Sequence, residues 1–282
     1  MSTSTRDRVP IALTIAGSDS GGGAGIQADL KTFHDHGVYG TSAITAVTAQ
    51  NTQGVLRVDP VPVDGLVAQL EAVFDDFSVH AVKIGMLGNA AHARAVVEFL
   101  TRRADLPPIV VDPVMVSTSG TRLLAPDAIQ VVRDELLPLA TLATPNLDEG
   151  AVLANVPLDR DAIEAWATQA PCPVLLTGGD EHKPQVVDVL VDGPAIRRWK
   201  RARREGPGFH GTGCTLSSAI AARLARGDDL ETAIDRALGY VQGLLNAALQ
   251  WRPGSGQHVL PHGLVASPLS DRPPLGAPWS LL

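Results

Sequence analysis

Short apolar runs separated by amphipathic stretches recur along this chain, and that alternation leaves it few folds. Residues 11–16, 43–48, 81–84, 108–112, 141–144 and 174–177 read as strands. Between them, residues 26–36, 64–77, 90–103, 126–136 and 159–168 read as helices, and two more follow at 215–226 and 229–250. In the second of these, Leu66, Val67, Leu70, Val73 and Phe74 fall on one helical face. The strand runs are apolar throughout instead of alternating, which marks strands covered on both sides. The expectation is an α/β fold in three layers, with helices on both faces of a mostly parallel sheet. Residues 186–191 and 195–199 add a hairpin across Asp192-Gly193. One domain spans residues 1–265, and the proline-rich, aperiodic stretch 266–282 is a peripheral extension.

Composition narrows the functional classes. Hydrophobic residues make up 45% of the 282, enough for a large core, and 19% charged content argues against disorder. Thirty acidic residues against 23 basic ones give a net charge of −7, without the clustered basic face that nucleic acid demands. The single basic run, Arg197 to Arg204, is short and reads as a solvated strand end or loop. With 4% aromatics, a base-stacking surface is not expected either. Two cysteines, Cys172 and Cys214, cannot build a disulfide framework or a four-cysteine zinc site, and fit a reducing compartment. The opening residues show no charged and then apolar leader, and no apolar stretch reaches membrane-spanning length, so the expected location is the cytoplasm. The histidines at 34, 36, 80, 92, 182, 258 and 262 lack metal-ligand spacing and are expected to be solvated, while Cys172 is expected to be packing.

Glycine is the unusual entry in this composition: 27 residues, unevenly spread, with two dense clusters. The first is Gly17-Ser18-Asp19-Ser20-Gly21-Gly22-Gly23-Ala24-Gly25, between a strand and a helix. Glycine lets backbone approach a ligand closely, and the carboxyl end of a strand is where α/β sheets bind ligands. The second is Gly206-Pro207-Gly208-Phe209-His210-Gly211-Thr212-Gly213-Cys214, leading into a strong helix. Successive N–H groups at a helix start make an anion site, and Cys214 there should have its thiolate stabilised. Two further strand ends carry oxygen donors: Asp112 in Val111-Asp112-Pro113-Val114, and Asn146, Asp148 and Glu149 in Thr144-Pro145-Asn146-Leu147-Asp148-Glu149. Such donors suit Mg²⁺ shared with phosphate, although acids also favour the first turn of a helix.

These motifs together resemble the hydroxymethylpyrimidine/phosphomethylpyrimidine kinases of thiamine biosynthesis. The resemblance rests on residues 13–19, 22–33 and 46–52, on Lys83-Ile84-Gly85-Met86-Leu87 and Val111-Asp112-Pro113-Val114-Met115, and on residues 144–149 and 211–216. It implies a ribokinase-like fold, ATP as co-substrate, Mg²⁺, and a homodimer. It further implies that Gln50 bonds the aminopyrimidine, with Gly17, Met86 and Val114 lining the same pocket. Gly211, Thr212, Gly213 and Cys214 would form the anion hole, with Cys214 as the base. Asp112 and Glu149 would hold Mg²⁺; Asn146, Thr177 and Gly178 would face the nucleotide.

The chain departs from the family pattern at Thr177, where a lysine is common, at Ser117-Thr118-Ser119-Gly120, and at Gly208-Phe209. The missing lysine removes a cation near the phosphates, for which Arg201, Arg203, Arg204 and Lys183 are the replacements on offer. Three rival readings stand beside the pyrimidine kinase. A pyridoxal or pyridoxine kinase would share the fold and the Gly-Thr-Gly turn. A dinucleotide oxidoreductase lacks the acid expected about twenty residues after its glycines. A cysteine hydrolase pairing Cys214 with His210 lacks an orienting acid.

Overall fold

The computed structural model describes residues 9–117, 120–178, 185–203 and 208–263. The extension 266–282, Lys183 and Arg204 lie outside the described residues. The order is β1 (Ile11–Asp19), α1 (Gly25–Asp35), β2 (Tyr39–Asn51), β3 (Gly54–Pro60), α2 (Val63–Asp76), β4 (Ala81–Ile84) and α3 (Ala90–Thr101). There follow β5 (Ile109–Val111), α4 (Pro126–Val131), β6 (Leu142–Ala143), α5 (Leu147–Ala154), α6 (Arg160–Ala167) and β7 (Val174–Leu176). The chain then forms β8 (Gln185–Asp192), β9 (Ala195–Ala202), β10 (Phe209–His210), α7 (Thr212–Ala225), α8 (Leu230–Ala248) and β11 (His258–Val259).

Nine strands form one sheet in the order β3-β2-β1-β4-β5-β6-β7-β8-β9. The run from β2 to β7 is parallel, and the edge strands β3, β8 and β9 are antiparallel. Successive side chains of a strand face opposite layers, and the core divides accordingly. Leu13, Val82, Ile109, Val111 and Ala143 pack with α2, α3 and α4 on one face. Ala12, Ala81, Val110 and Leu142 pack with Phe33, α7 and α8 on the other. No described helix is long and apolar enough to cross a membrane.

Several expectations change. Strand β3 was not legible, and it extends β2 into a long hairpin at the sheet edge. The helix expected over 126–136 keeps its start at Pro126 but widens into a π turn at Val132–Leu136. The histidines are not uniformly solvated: His36, His92 and His258 are buried. Each gains backbone partners there, His36 Nδ1 at Thr32 O (2.9 Å), His92 Nε2 at Val61 O (2.7 Å) and His258 Nδ1 at Ala248 O (2.8 Å). Residues 197–202 of the basic run lie in the edge strand β9, mostly exposed, with Arg198 paired to Glu164 and Arg197 to Glu231. Cys172 is buried in the apolar core, as expected of a packing residue.

One charged cluster sits inside the apolar layers. Lys83 of β4 and Asp29 of α1 are both fully buried, with Lys83 Nζ 3.0 Å from each Asp29 oxygen. Asp29 also accepts from Thr14 Oγ1 of β1 (2.6 Å) and Ser218 Oγ of α7 (2.7 Å). The cluster therefore joins two helices to two central strands beneath the α7 N-terminus. Burial alone would lower the lysine, but Asp29, with Cys214 and Asp112 nearby, holds it above the ordinary lysine range. Removing one partner of a buried pair leaves an uncompensated charge, at a cost of about 3–5 kcal/mol. Lys83→Met should lower unfolding free energy by that amount in urea denaturation. The Lys83→Met/Asp29→Asn double variant should recover most of it.

Candidate active site

The carboxyl ends of β1, β4, β5 and β6 open into a cavity of about 440 Å³, in the crevice where α/β sheets bind ligands. All thirteen candidate residues line it: Gly17, Gln50, Met86, Val114, Asp112, Asn146, Glu149, Thr177, Gly178, and Gly211 to Cys214. Asp148, the other acid of its segment, does not.

The two glycine clusters meet at this cavity. Gly211 caps α7 with φ at +81°, and a Cβ there would overlap the carbonyl oxygen of Gly23. Conformation and space both demand glycine. Helix α7 begins at Thr212, three residues before the expected start, so the Gly-Thr-Gly-Cys turn is the first turn of the helix itself. The leading N–H groups of a helix have no acceptor within it, and no side chain caps them here. Together with the dipole they form an anion site.

Cys214 departs from expectation. Burial pushes its thiol up to about 12, with the charges of Asp112 and Asp29 adding to the rise and Lys83 opposing it. Desolvation outweighs the helix N-terminus, so the ligand-free protein carries a thiol here at neutral pH. His210 is not aimed at Cys214 as a hydrolase would need. Its Nε2 lies 3.0 Å from Asp19 Oδ2 and 3.0 Å from Gln50 Nε2.

Asp112 and Glu149 are both buried and face the same cavity. Burial raises Asp112, against Lys83 and the Ser217 hydroxyl, whose Oγ is 3.0 Å from Asp112 Oδ2. Glu149 rises to about 8, through burial first and Asp112 second. Its Oε1 accepts from the N–H of Met115 (3.3 Å) and its Oε2 from that of Asn146 (3.0 Å). Asn146 Oδ1 returns a bond to the Glu149 N–H (2.9 Å), completing a capping box. Two oxygen donors whose burial disfavours their charge fit a divalent cation, and Mg²⁺ takes one or two carboxylates plus phosphate oxygens. No cluster of three or more ligating side chains occurs among the described residues, so any Mg²⁺ here would depend on the nucleotide for further ligands.

At the opposite end, Thr177 donates its N–H to Pro145 O (2.9 Å), and Gly178, at φ +81°, donates to Asp188 Oδ1 (3.0 Å). Arg201 Nε donates to Asp188 Oδ2 (2.9 Å). Arg201 and Arg203 line the cavity, so two of the four cations offered in place of the family lysine stand in its wall. Sequence reasoning gave no site role to Lys83, Asp19 or Asp188, which line it too. A lysine inside the apolar run Ala81–Ile84 was the available signal, since lysine is almost never fully buried unless paired.

Glu149 carries a prediction. Its raised value stabilises the folded ligand-free protein below the ordinary carboxylate range, and that contribution is lost as pH rises to about 8. Glu149→Gln keeps an acceptor for the capping box. Its Tm should exceed that of the unsubstituted chain at pH 8.5, by more than at pH 5, while Mg²⁺-dependent turnover falls.

Comparison with known proteins bears on this geometry. The family model described as phosphomethylpyrimidine kinase matches residues 19–259. A hydroxymethylpyrimidine/phosphomethylpyrimidine kinase of Rhizobium meliloti is 47% identical over 259 residues, covering 89% of this chain and 96% of the relative. Among solved structures, an ADP complex of Bacillus subtilis pyridoxal kinase superposes with a TM-score of 0.83 at 34% identity, over 90% of this chain and 97% of that one. Phosphomethylpyrimidine kinase from Clostridium difficile superposes with a TM-score of 0.72 at 40% identity, over 82% and 97%.

Proposed function

We propose that this chain, which belongs to the phosphomethylpyrimidine kinase family, transfers the γ-phosphoryl group of ATP to 4-amino-5-hydroxymethyl-2-methylpyrimidine and then to its monophosphate. The product is the diphosphate used in thiamine biosynthesis. The observation that carries this reading is that one cavity joins Gln50 to the α7 anion site. An amide donates and accepts side by side, and the aminopyrimidine edge offers the complementary amino group and ring nitrogen. Gly17 leaves room for the ring, with Met86 and Val114 as apolar walls.

Phosphoryl transfer needs positioning and charge neutralisation more than covalent chemistry. The hydroxymethyl oxygen attacks the γ-phosphorus, the bond to the bridging oxygen of ADP breaks, and the N–H groups of Thr212, Gly213 and Cys214 hold the equatorial oxygens. Cys214 is the group placed to take the hydroxyl proton; because burial keeps it a thiol in the ligand-free protein, it must give up its own proton once the substrates are bound, a step that Lys83 favours. Asp112 and Glu149 would hold Mg²⁺, which would supply charge neutralisation at the phosphate oxygens. Asn146, Thr177 and Gly178 face the nucleotide, at the end of the cavity walled by Arg201 and Arg203. A homodimer would cover apolar side chains that β2 and β3 leave open, Val47 and the 81% exposed Leu56.

ATP consumption with Mg²⁺ should occur with the pyrimidine alcohol and its monophosphate, and a lack of consumption with either would refute the reading. Pyridoxal belongs in the same assay because a pyridoxal kinase superposes so closely; turnover on pyridoxal alone would favour that second activity. General-base help is worth about 10²–10⁴-fold. Cys214→Ala should lose kcat within that range, and full retention would leave the anion site as the working part.

A further inference from the structure

The contact among Asp19, His210 and Gln50 is one the proposed chemistry does not explain. Asp19 is buried at the end of β1. Its Oδ1 accepts from the Gly21 N–H (2.8 Å), and its Oδ2 from the N–H groups of Gly23 (3.0 Å) and Ala24 (2.9 Å). Burial opposes its charge, but His210 and these N–H groups hold it below the usual carboxylate range. Asp19 is therefore an acceptor only. The His210 nitrogen 3.0 Å from it must carry a proton, or two lone pairs would face each other.

That proton dictates the orientation of the neighbouring amide. The Gln50 amide lies with Nε2 3.0 Å from His210 Nε2 and Oε1 3.1 Å from Thr48 Oγ1, a choice of nitrogen and oxygen that hydrogen-bond accounting can reverse. Thr48 Oγ1 donates its single hydrogen to Ser18 O (2.9 Å), which leaves its lone pairs as acceptors toward Gln50. A nitrogen at the His210 end sets N–H against N–H, and an oxygen at the Thr48 end must compete with the nearer Ser18 O for the one hydroxyl hydrogen. With oxygen toward His210 and nitrogen toward Thr48, Asp19 Oδ2 and the Gln50 oxygen share the one Nε2 proton and no two like groups oppose each other. Amide orientation is fixed by such proton accounting. One lone pair and one N–H of Gln50 then remain for a ligand.

We propose that His210, held by Asp19, is a specificity-determining positioning residue that locks the Gln50 amide in the orientation that reads an aminopyrimidine edge. This rests on the proposed kinase function. The hydroxymethyl group sits on the ring carbon next to the one bearing the amino group. Amide orientation therefore sets which way round the ring binds, and whether that hydroxyl is presented to the α7 turn. A reversed amide would pair oxygen with ring nitrogen and nitrogen with amino group, two repulsive contacts.

Calorimetric binding of the pyrimidine alcohol and of its analogue lacking the 4-amino group tests this. In His210→Leu the preference for the amino compound should fall about tenfold, the scale of one orienting hydrogen bond. His210→Gln, whose amide nitrogen can donate in the same place, should restore most of it. In a Gln50→Ala background, His210→Leu should change the preference no further. In the unsubstituted protein, ¹⁵N spectra should show His210 protonated at Nε2, a measurement that needs no variant to fold. An unprotonated Nε2, an undiminished preference in His210→Leu, or effects of the two sites that simply multiply would overturn the proposal. Absence of pyrimidine binding and ATP consumption in the unsubstituted chain would instead refute the kinase reading, leaving the spectra to decide the amide orientation.

Discussion

The carbonyl oxygen of Gly23 occupies the space where a side chain on residue 211 would have to be. That approach joins segments from opposite ends of the chain and gives the cavity its two halves. The loop after β1 forms one wall, and the first turn of α7 forms another. Because α7 starts at Gly211 in the left-handed region, its free N–H groups open onto the same space as Gln50 and Met86. A ligand with a ring and a phosphoryl acceptor can then meet both at once.

Charge around this point is arranged by burial. Lys83 supplies a fixed positive charge beneath the turn, neutralised by Asp29, which two hydroxyls brace. Burial raises both Asp112 and Glu149, so their negative charge is disfavoured until a cation joins them. A site that handles phosphate with backbone N–H groups and a metal need not show in the net charge, which is −7. Burying two acids side by side costs stability as pH rises and they ionise, as expected where function is built against local stability.

The layered fold was legible because parallel strands covered on both faces leave continuous apolar runs, as in residues 11–16 and 108–112. The hairpin partner β3 was not, since its residues are mostly exposed at a sheet edge and carry no such run. The glycine loops and the strand-end oxygens of Asp112, Asn146 and Glu149 were legible from spacing alone, whereas Gln50, Met86, Val114, Thr177 and Gly178 entered only through the family resemblance. Cys214 shows where that reasoning stops. Its position at a helix start argued for a lowered thiol, while the desolvation that reverses the sign comes from elements far away in sequence. The three buried histidines misled for the same reason, because their partners are backbone carbonyls that no motif announces. His210 was visible only as a neighbour of Cys214; its engagement with Asp19 and Gln50 depends on β10 lying against the first glycine loop.

The central claim is that one cavity presents the pyrimidine to the α7 turn. A crystal structure with the pyrimidine alcohol and a non-hydrolysable ATP analogue tests it most directly. The account predicts the ring against Gln50, the hydroxymethyl oxygen beside Cys214, and the γ-phosphate at the N–H groups of residues 212–214. A ring bound away from Gln50, or a γ-phosphate seated off the turn, would contradict it.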